Sequence, residues 1–458
     1  MRPELLKQAR FCLVGSLIIL LFASCIASKK SHFLCSPLSN SQWGMNKDTA
    51  NQWLSWNILL KDGLTEAERN VSIIELEARI HYYLINFPGY ENYKAKFSIY
   101  RCKCDSSLIN VNVKVVDGQD RSVSPPPGSP GTGGGGDILF VSVNHDLQKE
   151  SPSKDSLPRG KLTLSRTSTV SDEILAIIDT GLDPSCFTSE INNLIWKAPP
   201  GKLALYNFLG GSYGDKNNKD DHPKKHGSGV AAVSIMAMDG GVYPKLMILK
   251  ALDKDKRGTT FTFNCALSYA IQNKATIVNA SLGYEETTSQ AGDPILFNYL
   301  RKAKDTVPDH PIYVFTAAGN MNTTGNDICA DGPSANELRP GIHMFYPGCF
   351  SNTLSNVINV TGLTKPDQSC RYQKYSNVFV TLGVLNNPNC CIFKTPFFSF
   401  GFDGTSFATP AAAGMVMNMH LAPGAKPIPT CINDLSQTSN SANPKTVGGR
   451  FFTYTHSQ

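Results

Sequence analysis

Phe402-Asp403-Gly404-Thr405-Ser406-Phe407-Ala408-Thr409-Pro410 is the stretch on which the reading of this chain turns. A small glycine-containing turn hands a serine to the first turn of a helix. The run Ala-Ala-Ala-Gly-Met-Val at residues 411–416 then carries that helix into a core. A hydroxyl placed there lies near the positive end of the helix dipole and near N–H groups with no helical carbonyl to bond. Such donors stabilise negative charge on an attacked carbonyl. A serine hydroxyl alone is a weak nucleophile, so the reading requires a base and a group to orient that base.

Upstream segments supply both. Residues 174–178, Ile-Leu-Ala-Ile-Ile, read as a buried strand that ends at Asp179-Thr180-Gly181. A carboxylate there is placed to orient a histidine, although Asp before Thr-Gly, taken alone, is an ordinary turn former. His226 lies in Lys225-His226-Gly227-Ser228-Gly229, ahead of a helical run over 230–238. Its small neighbours leave space for a substrate backbone, and imidazole suits proton shuttling near neutral pH. His222, in Asp220-Asp221-His222-Pro223, reads instead as part of a solvated loop. Asn320, in Ala317-Ala318-Gly319-Asn320, offers an amide that joins the Ser406 N–H in holding an oxyanion; the plain alternative is a Gly-Asn turn.

Further apolar runs at 246–249, 276–278, 312–315 and 357–360 alternate with helical patterns such as 266–271. That alternation predicts an α/β fold, a doubly wound parallel sheet with helices on both faces. Ligands bind at the C-terminal ends of such strands.

Over residues 174–417 these motifs resemble the subtilisin-like serine proteases, the subtilases. The resemblance rests on Asp-Thr-Gly at Asp179, His-Gly at His226, Ala-Ala-Gly-Asn ending at Asn320 and Gly-Thr-Ser-Phe-Ala-Thr-Pro around Ser406, in the family's own order. It implies that Asp179 orients, that His226 is base and then acid, that Ser406 attacks and that Asn320 stabilises the oxyanion. The implied activity is a serine endopeptidase acting on protein or peptide substrates through an acyl-enzyme. Asn279-Ala280-Ser281-Leu282-Gly283 is similar to the family's substrate strand, so Ser281, Leu282 and Gly283 would pair with an extended peptide. Ala317, Ala318 and Gly319 would form the opposite wall of the specificity pocket, and small residues on both walls imply room for a sizeable side chain. The departures are Lys225 for Gly, Ser228 for Thr, Gly229 for a bulkier residue, Phe407 for Met and Ala411 for His. An inward Lys225 would lower the base's pKa by repulsion. The rival reading is a catalytically impaired scaffold that binds peptides or proteins.

The chain has 458 residues, 41% hydrophobic and 17% charged, which suits one large core and a smaller module. A net charge of +6 without a dense basic block gives no reason to expect nucleic acid. No cofactor is implied. The loop before His226 carries Asp215, Asp220 and Asp221, candidates for calcium but without the spacing of a known calcium loop. Among the 13 cysteines, Cys102 and Cys104 form C-x-C, Cys390 and Cys391 are adjacent, and Cys329 with Cys349 would close a loop.

At the N-terminus, Arg2, Lys7 and Arg10 precede an apolar run over 11–23, the pattern of a signal peptide at 1–24. Phe22-Ala23-Ser24-Cys25 is similar to a bacterial lipoprotein box with Cys25 as the lipidated residue, Phe22 replacing the usual Leu. An exported protein held at the cell envelope by a lipid anchor is expected; a secreted protein is the alternative. A spacer at 25–56 leads to a small α+β module at 57–121. Its helix starts with the capping box Thr65-Glu66-Ala67-Glu68 and stops at Pro88-Gly89, and a hairpin turns at Asp105-Ser106-Ser107. The Pro/Gly-rich segment 122–136 reads as a linker to a peptidase domain at 137–458. The module is either a pro-domain or an adaptor for a partner protein. Cys25→Ala should release the protein from membranes, as fractionation of cells would measure; unchanged membrane retention rules the lipid anchor out.

Overall fold

Apolar runs buried on both faces can be satisfied only by a sheet covered on both sides, and the computed structural model of the protein contains one. It describes residues 52–86, 95–115, 137–147, 160–164, 168–209, 217–286, 292–305, 310–320, 337–340, 342–370, 373–386, 404–442 and 444–454. The strands are β1 (Gln52–Leu60), β2 (Ala95–Arg101), β3 (Leu108–Val115), β4 (Ile138–Val143), β5 (Asp146–Leu147), β6 (Thr169–Asp179), β7 (Val242–Lys250), β8 (Gly258–Thr259), β9 (Ile277–Ala280), β10 (Tyr284–Glu286), β11 (Tyr313–Ala317), β12 (Met344–Tyr346), β13 (Val357–Lys365), β14 (Gln368–Ser369), β15 (Leu382–Leu385), β16 (Gln437–Thr438) and β17 (Arg450–Thr453). The helices are α1 (Glu66–Asn86), α2 (Ser189–Asn192), α3 (His226–Met236), α4 (Thr260–Gln272), α5 (Pro294–Asp305), α6 (Thr405–Leu421) and α7 (Ile428–Leu435).

The main sheet runs β16-β17-β15-β13-β11-β9-β6-β7, with β14 beside β13. From β17 to β7 every pairing is parallel; β14 and β16 are the antiparallel additions. This is the doubly wound α/β fold. Along β6, Leu175 and Ile177 pack into a core with α3 and α6, while Ala176 and Ile178 enter a second core with α4 and α5. A period of two with both faces covered explains the continuous apolar run. From β6 the chain passes to β7 on one flank and then crosses by α4 to β9 on the other. The C-terminal end of β6 is therefore the switch point of the sheet, and Asp179 is its last residue.

The N-terminal module is a four-stranded antiparallel sheet in the order β2-β3-β1-β4, with α1. The capping box forms: Glu68 N–H donates to Thr65 Oγ1 at 3.3 Å, and Thr65 N–H donates to a Glu68 carboxylate oxygen at 2.7 Å. Two of the expected boundaries shift. β1 starts inside the segment read as a spacer, and β4 follows the Pro/Gly segment yet pairs with β1. Segment 122–136 thus connects two strands of one sheet, because the pairing is non-local. Asp105 Oδ2 accepts from the Tyr299 hydroxyl of α5 at 2.6 Å and from Ser268 Oγ of α4 at 3.2 Å. Asn57 Nδ2 donates to Thr260 Oγ1 at 2.8 Å. Leu59, Cys102 and Leu108 join the core that α4 and α5 cover.

Cys349 is a buried thiol that accepts from Phe345 N–H at 3.3 Å, so the Cys329–Cys349 loop is not formed. Cys370 is disulfide-bonded. The leader with Cys25, the linker, Asp215, Cys329, Cys390 and Cys391 lie outside the described residues. No helix among the described residues is long and apolar enough to cross a membrane.

Asp293 caps α5, accepting the N–H groups of Ile295 at 2.8 Å and Leu296 at 3.1 Å. Burial outweighs those bonds and pushes its carboxyl up to about 6. Between its ordinary value and that one, the folded chain binds this proton more tightly than the unfolded chain does. The stabilisation is complete below the window and is lost as pH rises through about 6. Asp293→Asn keeps a capping oxygen and should flatten this part of the fall in stability, read from melting temperatures between about pH 4 and pH 7.

Candidate active site

Two strand ends and two helix starts converge at the switch point. Asp179 Oδ1 lies 2.7 Å from His226 Nδ1 and accepts Thr180 N–H at 2.7 Å. Both residues are about 1% exposed. A carboxylate at Nδ1 calls for the proton there, which leaves Nε2 as the basic nitrogen. His226 opens α3, and its own N–H donates to His222 Nδ1 at 3.3 Å. His222 is buried, not solvated as its acidic and proline neighbours implied, because it caps this turn.

A second carboxylate fixes the start of α3. Asp220 is fully buried and accepts Ser228 N–H at 2.9 Å, Ser228 Oγ at 2.8 Å, Thr180 Oγ1 at 2.9 Å and His222 N–H at 3.2 Å. Thr180 Oγ1 in turn accepts Gly227 N–H at 2.8 Å. Burial raises the Asp220 carboxyl above its ordinary value; the Ser228 and Thr180 bonds oppose this, and the Asp179 charge adds to it. Asp220 therefore serves the polypeptide where calcium was considered, and Asp221 pairs with Lys250. Lys225 does not press on the base. Its ammonium stands 3.0 Å from Asp183 Oδ2 and donates to the Asp220 carbonyl at 2.8 Å.

Ser406 is the second residue of α6, after Gly404 at φ 105°, a backbone that L side chains avoid. Pro410 sits inside this helix and lacks the N–H that would bond the Ser406 carbonyl. Ser281 Oγ supplies the missing donor at 2.8 Å. In return, Ser406 Oγ donates to the Ser281 carbonyl at 3.3 Å. The His226 ring meets the ring of Phe407 edge-on at 5.2 Å, which sets the imidazole against the same helix turn. Asn320 Oδ1 accepts Thr405 N–H at 3.1 Å, and a Cβ on Gly404 would come 3.0 Å from Asn320 Nδ2. The amide is thus held by its oxygen, with its N–H donors beside the turn that carries Ser406.

Ser281, Leu282 and Gly283 leave the end of β9, and Ala317 ends the neighbouring β11 ahead of Ala318 and Gly319. Gly319 N–H donates to Thr405 Oγ1 at 3.2 Å. The two segments flank the site, but the space between them is not open. The ring of Phe345, on β12, stands against both glycines, which corrects the expectation of a roomy pocket. The motifs around the reacting residues carried no signal for Phe345, which is brought in by a strand pairing, Glu285 with Phe345. Asp220 and Thr180 were visible in the sequence, but a loop aspartate gives no sign that it folds inward.

An aspartate, a histidine and a serine are thus gathered at one mouth of an α/β sheet. The chain belongs to the Subtilase family, a family of serine peptidases, whose pattern it matches over residues 171–423. It is 27% identical over 209 residues to subtilisin-like protease 1 of Plasmodium falciparum (isolate 3D7), covering 43% of this chain and 28% of that protein. It is also 27% identical over 221 residues to subtilisin-like protease 1 of Plasmodium vivax, covering 46% and 32%. The matches thus span less than a third of the length of these relatives. The crystal structure of a cold adapted subtilisin-like serine proteinase aligns with a TM-score of 0.42 at 16% identity, over 66% of this chain and 98% of that one.

Replacing Asp220 by Ala would strand several buried donors at the start of α3. The expected loss is about 3 kcal/mol or more, measured by chemical denaturation, given about 1–3 kcal/mol per unsatisfied buried group.

Proposed function

We propose that the protein is a serine endopeptidase in which Asp179, His226 and Ser406 form the catalytic triad. The observation that carries this reading is the buried 2.7 Å contact between Asp179 and His226, inside a subtilase segment that also holds Ser406 and Asn320. Ser406 Oγ attacks the peptide carbonyl while His226 Nε2 takes its proton. Asp179 stabilises the imidazolium that results. The oxyanion is held by Asn320 Nδ2 and by the N–H of Ser406 in the first turn of α6. His226 then protonates the leaving amine, and water hydrolyses the acyl-enzyme by the reverse route.

The module at the N-terminus serves as the pro-domain in this reading. Two observations favour this over an adaptor. The module shares a core with α4 and α5. Beyond β4, the chain passes His145, stacked on Tyr284 at 4.2 Å, and β5 then pairs antiparallel with β8. Tyr284 directly follows the substrate segment 281–283. β8 lies near Asp179, since Ala251 and Leu252 donate to the Asp179 carbonyl at 2.9 and 3.2 Å and Gly258 packs on the Ala251 carbonyl. Residues 145–147 therefore run where an extended peptide would add as a strand.

A fluorophosphonate probe should label Ser406 in the wild type and leave Ser406→Ala unlabelled. A folded, processed wild type that neither labels nor cleaves any peptide would turn the reading to a binding scaffold. Asn320→Ala should lower kcat by about 100- to 1000-fold with little change in KM. Sequencing of the mature N-terminus should find a cut between residues 148 and 168; an active, uncut chain would favour the adaptor.

A further inference from the structure

We infer that Phe345 fills the pocket for the residue whose carbonyl is attacked, so that the protein cleaves after small, uncharged residues: glycine, alanine or serine. This rests on the endopeptidase reading and names the substrate class for the same site.

The argument is geometric. The pocket's two walls are the backbones that leave β9 and β11, at Gly283 and Gly319. A Cβ added to Gly283 would lie 2.4 Å from Phe345 Cε1 and 2.6 Å from Cζ. A Cβ added to Gly319 would lie 2.8 Å from Phe345 Cδ2 and Cγ. The tip of the ring thus rests on one wall and its root on the other, so a single aromatic ring bridges the gap. Phe345 is 1% exposed, so the ring lies inside the fold and not across its surface. It is held there by strand pairing with Glu285 and by the bond from its N–H to Cys349 Sγ.

Charge points the same way. Glu285, the strand partner of Phe345, is a carboxylate that could recognise a lysine or arginine, and it is paired with Lys374. Lys374 is itself buried, stands 5.8 Å from the centre of the Phe345 ring, and donates its backbone N–H to the Gly319 carbonyl at 2.9 Å. A basic side chain entering the pocket would meet an ammonium, not a free carboxylate. An aromatic or branched side chain would meet the Phe345 ring. A methyl or hydroxymethyl group needs little more than the space above it.

The test is a set of peptides that differ only in the residue before the scissile bond, assayed with the processed wild type and with Phe345→Gly. The wild type should show kcat/KM at least about 10-fold higher for Ala than for Phe at that position, the size of effect a mismatched apolar pocket gives. Phe345→Gly should reverse that order. Wild type that cleaves after Phe, Leu or Lys as well as after Ala overturns the inference, as does a folded Phe345→Gly with an unchanged ratio. If the glycine variant fails to fold, Phe345→Leu, which leaves a smaller void, should admit valine and leucine. Fluorophosphonate labelling keeps the two readings apart: wild type that does not label fails as a peptidase, while wild type that labels and prefers a large residue fails only here.

Discussion

The rest of the site depends on the hydrogen bond between Asp179 and His226, both buried. Burying a carboxylate is costly unless it is bonded, and a bonded imidazole is the partner that makes its charge useful. That bond works only if α3 starts at one place and in one orientation. The structure secures it with a second buried carboxylate, Asp220, which accepts from the Ser228 N–H in the first turn of α3, the Thr180 hydroxyl just after β6 and the N–H of the cap residue His222. Strand and helix are thereby tied to one group, and the imidazole inherits their position.

The start of α6 follows the same logic with different means. Pro410 releases the Ser406 carbonyl from the helix, and Ser281 takes it up. The segment after β9 and the turn bearing the Ser406 hydroxyl are thus bonded directly to each other. Asn320 and Thr405 tie β11 to the same turn. Three adjacent parts of the sheet mouth are locked around one residue.

The N-terminal module shows how a small sheet gains stability. Its own strands bury a modest core, and the apolar side chains Leu59 and Leu108 complete the layer above α4 and α5. The polar contacts of Asp105 and Asn57 fix where it docks. Beyond β4 the chain pairs along β8 as β5.

The order Asp179, His226, Asn320, Ser406 and the buried strands that carry them were legible in the sequence, because these are local signals: a glycine turn, a helix start, a run of aliphatic residues. So were the capping box at Thr65 and the hairpin at Asp105. Three things were decided only in three dimensions. Segment 122–136 reads as a boundary in composition, but β4 returns across it to pair with β1. Asp220 and His222 read as solvent-facing, but the start of α3 draws both inward. Phe345 lies far along the chain from Gly283 and stands against Gly283 and Gly319 because β12 pairs with β10. Local pattern determines which elements form; what fills the space between them is set by long-range pairing, and no short stretch of sequence encodes that.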